Sequence, residues 1–229
     1  MNGVVLKTAR REAGWTQSRL AEKLGVTQAY LSLMESGGRR VPPRLARRVA
    51  RLLDLPPTAL PLETTSRLLA TNEWVAAQLA RLGYPGYAYR RRRGAVCHPA
   101  EVLLAGLSLD DLDPRLAEAL PWLLLRYQGL DGPRLAAEAR LRNLQNRLGF
   151  TVALARQVAE RNPEFRGRVA DLTRFEETLE PSRLAREETF GQPHAGERLC
   201  AWLREERSDA ARHWNLLCDL KVGHLPYDA

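Results

Sequence analysis

The run Thr27-Gln28-Ala29-Tyr30-Leu31-Ser32-Leu33-Met34 puts its polar chemistry at one end and ordinary core residues at the other. A glutamine amide carries a donor and an acceptor side by side, and Gln28 holds one at the opening of a short amphipathic helix. Thr27 can cap that helix, because its hydroxyl oxygen can accept a free N–H of the first turn. Leu31 and Met34 share one face at helical spacing, and Gln28, Ala29, Tyr30 and Ser32 take the remaining surface. Two readings stay open on these residues alone. Gln28 is either a solvated helix start or a side chain aimed at a group that needs a paired donor and acceptor.

Charge narrows the choice. The 229-residue chain carries a formal charge of +8, and the first 60 residues hold eleven Lys and Arg against four Asp and Glu. The rest is nearly balanced, at 24 against 23. Basic charge gathered in one quarter of a chain fits a polyanion partner. Arg39 and Arg40 follow the amphipathic run directly and are placed to grip phosphate, as are Arg19 and Lys23.

The elements needed to hold these residues are legible around them. Val4, Val5, Ala9 and Ala13 predict a first helix ending at Gly14. Thr16 can cap a second, with Leu20, Ala21 and Leu24 on its buried face. Gly25 supplies the positive φ of a tight turn, Val26 plugs it, and Thr27 begins the third helix, which Gly37 and Gly38 stop. Leu45, Val49, Leu52 and Leu53 mark a fourth. Two short helices about a tight turn, backed by flanking helices, make a helix-turn-helix.

With these motifs in place, "LKTARREAGWTQSRLAEKLGVTQAYLSLMESGGRRVPPRLARRVARLLDL" resembles the helix-turn-helix domain of XRE/Cro/cI-type transcriptional regulators over about residues 3–56. The resemblance rests on Gln17, Ala21, Gly25, Leu31, Met34, Glu35 before glycine, and Arg10 four residues before Gly14. It implies that the start of the third helix enters the DNA major groove, with Gln28 where such proteins place a base-reading residue. A glutamine amide can pair bidentately with adenine. Gln17 would brace Gln28, Glu35 would pair with Arg10 as a structural contact, and Thr27, Tyr30 and Ser32 become candidates for base or phosphate contact. Ala29 is small where a second polar reader often sits, and can touch a thymine methyl.

The boundaries expected are a helix-turn-helix domain over 1–56, a proline-rich linker over 57–66 and an all-helical dimerisation, partner or effector domain over 67–229. The fold class is all-α, a bundle of four to five helices followed by a larger helical domain. Helices are predicted from about Leu68 to Leu82, then over 99–107, 114–127, 133–161 with a break at Gly149, 163–179, 181–190, 195–206 and 209–222. "YPGYAYRRRRG" sets tyrosines beside Arg90, Arg91, Arg92 and Arg93, a candidate second DNA contact or a surface loop paired with acidic side chains. "ALPWLLLRYQGL", the Val152–Leu154–Val158 stripe and "LCAWLREERSDAARHWNLLCDL" are candidate dimer faces or core.

Nothing in the sequence carries a catalytic, cofactor or metal signature. Cys97, His98, His194, Cys200, His213, Cys218 and His224 lack metal-ligand spacing. No apolar run approaches a membrane span and no signal-peptide pattern opens the chain, so a cytoplasmic protein is expected. Taken together, these features predict a regulator of double-stranded DNA, a homodimeric repressor of its own promoter reading a palindromic operator. "DLDPRLAEALPWLLLRY" and "RLRNLQNRLGF" are also faintly similar to regulators encoded beside nucleotidyltransferase-type toxins. That resemblance implies an alternative, an antitoxin whose helical domain neutralises a partner toxin.

Overall fold

The computed structural model describes residues 1–62, 70–90 and 94–227. The chain divides into two compact units, Met1–Glu63 with Gly94–His98 and Thr64–Arg93 with Pro99–Ala229. Helix dominates the described residues, and the strand among them amounts to one pair of two-residue segments.

Four helices build the first unit: α1 (Gly3–Glu12), α2 (Gln17–Leu24), α3 (Gln28–Glu35) and α4 (Pro43–Leu52). Each start has a local cause. Asn2, Thr16 and Thr27 accept the N–H three residues on, from Val5, Arg19 and Tyr30, which satisfies one of the orphan donors of a first turn. Pro43 takes the first position of α4, where a missing N–H costs nothing. Between α2 and α3, Gly25 sits at φ 68° and Val26 N–H donates back to Ala21 O at 3.0 Å. A β-carbon in that left-handed conformation would be strained.

Leu6, Leu20, Ala21, Leu24, Leu31, Met34, Val41, Ala46 and Val49 close the core, with Trp15, Val26, Tyr30 and Leu45 packed against it. α1 lies hard against the end of α3, since a β-carbon on Gly3 would collide with the carbonyl oxygen of Met34. Past α4, Pro57–Ala59 forms a 3₁₀ turn and Leu60 is buried. The proline-rich stretch expected over 57–66 leaves the described residues at Glu63.

The second unit holds α5 (Asn72–Leu82), α6 (Pro99–Leu107), α7 (Pro114–Arg126), α8 (Gly132–Leu141), α9 (Gln145–Arg161), α10 (Val169–Leu179), α11 (Glu197–Glu206) and α12 (Asp209–His213). Its centre is α9, buried without a break from Gln145 to Ala155 and packed on α7, α8 and α10. Trp122, Leu123, Val152, Leu154 and Val158 are all buried within this unit.

Three helix expectations are corrected here. The break within 133–161 falls at Asn143, which adopts φ 56° while Leu144 N–H donates to Ala139 O at 2.9 Å. Asparagine tolerates that conformation better than most residues. Gly149 lies instead inside α9, where a β-carbon would strike the ring of buried Trp214. The segment 181–190 is not a helix. Asn146 Oδ1 accepts Leu184 N–H at 2.8 Å, and the amides of Asn146 and Asn215 both donate to Leu184 O, at 3.0 and 2.8 Å. Side chains thus take the backbone bonds that a helix would have used. Beyond it, β1 (Glu188–Thr189) pairs in parallel with β2 (Leu216–Leu217). That pairing, with Asn215 at φ 52°, cuts the helix expected over 209–222 to the five residues of α12.

Candidate nucleic-acid interface

The first unit contains a continuous polar chain that begins in its core and ends at its surface. Arg10 and Glu35 are both buried and pair through two bonds, Nε to Oε1 at 2.6 Å and Nη2 to Oε2 at 2.9 Å. Arg10 Nη1 also donates to Trp15 O at 2.6 Å, tying the end of α1 to the start of α2. Gln17 Nε2 donates to Glu35 Oε2 at 2.9 Å, and Gln28 Nε2 donates to Gln17 Oε1 at 2.7 Å. Burial by itself would raise the Glu35 carboxyl, but hydrogen bonds from Arg10 and Gln17, and the charges of Arg10 and Lys7, outweigh it and hold the group below its usual range. Glu35 therefore stays ionised.

An ionised carboxylate only accepts, and this fixes the amides in order. Gln17 must turn its NH₂ to Glu35, so its carbonyl oxygen faces Gln28. Gln28 must then give one N–H to Gln17. Its other N–H and its Oε1 remain for a ligand, one donor beside one acceptor at the exposed tip of α3. The structure holds both pairs that the sequence suggested, Gln17 with Gln28 and Arg10 with Glu35.

Around this amide the α3 surface is mixed. Thr27 and Ala29 are exposed and Ser32 is half-buried. Thr27 Oγ1 is engaged in capping its own helix. Tyr30 is half-buried against the core, with the Arg39 guanidinium 5.7 Å from its ring centroid, so the tyrosine acts partly as a shelf for a cation. Arg39 is further fixed by its backbone N–H to Leu33 O at 2.9 Å, and Arg40 is exposed beside it. The guanidinium of Arg19 lies 4.6 Å over the Trp15 ring at the start of α2.

One residue of this face has no counterpart among the sequence-predicted candidates. Leu33, 47% exposed, lies one turn after Ala29 and leaves an apolar strip on the helix surface beside Gln28. The i, i+4 spacing from Ala29 is the available signal, hidden because a leucine beside Met34 reads as core.

The candidate second contact is only partly in view. Tyr84 and Tyr87 are buried, while Tyr89 and Arg90 are exposed with the Arg90 guanidinium 5.8 Å from the Tyr89 ring. Arg91, Arg92 and Arg93 lie outside the described residues. Among the described residues no three His, Cys, Asp or Glu side chains gather as metal ligands would. No helix there is long and apolar enough to cross a membrane.

Comparison with known proteins agrees with this geometry. Residues 6–60 match the helix-turn-helix family, which is a family of DNA-binding regulatory domains and not of enzymes. The first unit is thus a DNA-binding helix-turn-helix domain, and the match covers none of the chain beyond residue 60. No curated protein and no solved structure matches the chain. The faint likeness of the second half to toxin-paired regulators has no support among these comparisons.

Proposed function

We propose that the protein is a sequence-specific transcriptional regulator, a dimeric repressor that reads a palindromic operator through α3 in the major groove. One observation carries the reading: the polarised amide of Gln28, whose free N–H and Oε1 match N7 and the N6 amino group of adenine. Because Glu35 sets the order of the chain, Gln28 meets the base with its amide already oriented, and little freedom is lost on contact.

The remaining assignments follow from reach and chemistry. Ala29 and Leu33 form an apolar strip suited to thymine methyls, so the operator half-site carries a thymine next to the adenine that Gln28 reads. Thr27 and Ser32 contribute hydrogen bonds at the groove edge. Gln17 braces Gln28, while Arg39 on its Tyr30 shelf and Arg40 hold phosphate, fixing register without reading sequence. Arg90 to Arg93 serve as a sequence-blind second contact to the backbone. The helical second unit supports pairing of two chains, since two-fold operators call for two-fold proteins. Its work on chromosomal DNA places the protein in the cytoplasm. The antitoxin alternative rests on its sequence likeness alone.

Selection of genomic fragments by the purified protein, followed by footprinting at two salt concentrations, tests this reading. The expected result is a compact footprint of two half-sites about one helical turn apart, with an adenine–thymine step in each and one site over the protein's own promoter. Binding that is only salt-sensitive and blind to sequence would overturn it.

A further inference from the structure

We propose that α11 is a two-fold docking surface for a second copy of this chain, packed antiparallel against its own counterpart. The proposal deepens the two-fold reading above and rests on it.

Helix α11 is anchored through Leu203 and its C-terminal end and is otherwise bare. Leu203 is fully buried, and Glu187 grips the helix end through Arg204 Nη2 at 2.8 Å and Arg207 Nη1 at 2.7 Å. Lys221 adds a contact to Glu206 at 3.7 Å. Beside Leu203, Leu199 one turn earlier and Trp202 on the adjoining flank stay open to solvent. Trp202 is 48% exposed and Leu199 39% exposed, two large apolar side chains three residues apart and therefore adjacent on the surface. The other four tryptophans are buried or half-buried, at Trp15, Trp74, Trp122 and Trp214. Exposed, well-anchored tryptophan is the residue type that dominates interface energetics.

The charges along the same stripe say what covers it. Arg198, Trp202 and Glu205 fall at i, i+4 and i+7, so their stripe carries a cation at one end, an anion at the other and Trp202 between, with Leu199 flanking it. Arg198 and Glu205 are exposed, and neither has an ion-pair partner among the described residues. They lie at equal distances on either side of a point midway between Ala201 and Trp202, each ~5 Å along the axis at 1.5 Å per residue. A two-fold axis through that point sets Arg198 against Glu205 of the second copy and Glu205 against its Arg198. The tryptophans then meet near the axis, and each Leu199 packs beside the opposite tryptophan. A parallel pairing would set like charges together. The stripe is complementary to itself only when reversed, which is the property of an isologous interface.

A ten-residue helix pair covers less than the roughly 1,200–2,000 Å² of a standard interface. The free chains therefore associate weakly, and an operator with two half-sites completes the pairing by holding them together.

Sedimentation equilibrium of the full chain from about 1 to about 200 µM, a span suited to an interface this small, tests the surface. The wild type is expected to pass from monomer to dimer across that range. Trp202→Asp should raise the dissociation constant on the order of 30-fold or more, as for a central interface tryptophan. Arg198→Glu and Glu205→Arg should each weaken the dimer, and the double exchange should restore it. Every side chain changed is at the surface, and unchanged thermal unfolding confirms intact folds. A wild type that is monomeric throughout overturns the surface, as does a dimer indifferent to Trp202→Asp, a double exchange without recovery, or a monomer that takes up an unrelated chain through Trp202. The two-fold reading is judged separately, by whether one chain or two occupy the selected operator.

Discussion

Two buried arginines organise the two units, and they end in different places. Arg10 pairs with Glu35, and the bonds continue through Gln17 to an exposed amide whose remaining donor and acceptor face outward. Arg147, equally buried, spends its guanidinium inside the second unit: Leu107 O at 2.9 Å, Leu109 O at 3.2 Å, Asp110 at 3.2 Å and Glu188 at 3.1 Å. It ties the end of α6 to β1 and goes no further. Both networks satisfy the rule that a buried charge must be paired. The first ends at the surface in an amide that keeps both a donor and an acceptor, whereas the second reaches the surface only through Asp110, an exposed carboxylate that can only accept. A buried ion pair by itself says nothing about function; where its hydrogen bonds terminate does.

Substitutions at the two centres should separate these roles. Glu35→Ala leaves Arg10 buried and uncompensated, and is expected to cost about 3–5 kcal/mol of stability in the first unit. Even where the variant stays folded, Gln17 and Gln28 lose their fixed order, so chemical denaturation and operator binding should both suffer. The same group gives a pH signature. Its folded-state pKa lies below the unfolded value of roughly 4.3. Its stabilisation is therefore complete above that value and is lost as pH falls through the folded-state pKa. Glu35→Gln should flatten this acid-side loss, and a thermal-unfolding series in which the acid slope is unchanged would show that other carboxylates cause it.

Arg147→Met should cost about 3 kcal/mol, because Glu188 and the Leu107 carbonyl are left without their partner. Operator affinity per folded chain should stay at the wild-type value. A loss of specificity in that variant would erase the distinction between the two networks. Gln17→Ala is smaller, about 1 kcal/mol at the cognate operator, since Gln28 remains but must be ordered by the DNA itself. Binding to random DNA should hardly change. Smallest in specificity are Arg39→Ala and Arg40→Ala, which should weaken all sequences alike and lower the salt slope by about one unit for each phosphate that is no longer neutralised.

The first unit is legible because its local signals agree with one another. Thr16, Gly25 and Thr27 each have one conformational use at their positions, and all three serve it. The brace from Gln17 to Gln28 can also be expected, since it links two helix starts on either side of a tight turn. Leu33 is not legible, because the exposure of a leucine depends on whether any neighbouring element covers it. The second unit hides its exceptions for another reason. Asn146 and Asn215 bond the backbone of Leu184 across 38 and 31 residues of sequence, and such contacts leave no periodic trace. Gly149 reads as a helix breaker until Trp214 is seen against it. The bare stripe of α11 shows the same limit, since Trp202 carries the sequence pattern of a core residue and the surroundings of a surface one.

A double-mutant cycle on the selected operator asks whether Gln28 reads adenine with an amide oriented by Glu35. Wild type and Gln28→Ala are each measured on the native half-site and on one with 7-deazaadenine at the contacted position, which removes N7. Each single change should cost about 1–3 kcal/mol, and the two together should cost little more than either alone, because they remove the same interaction. Losses that simply add, or a Gln28→Ala loss equal on cognate and random DNA, would show that Gln28 does not read this adenine.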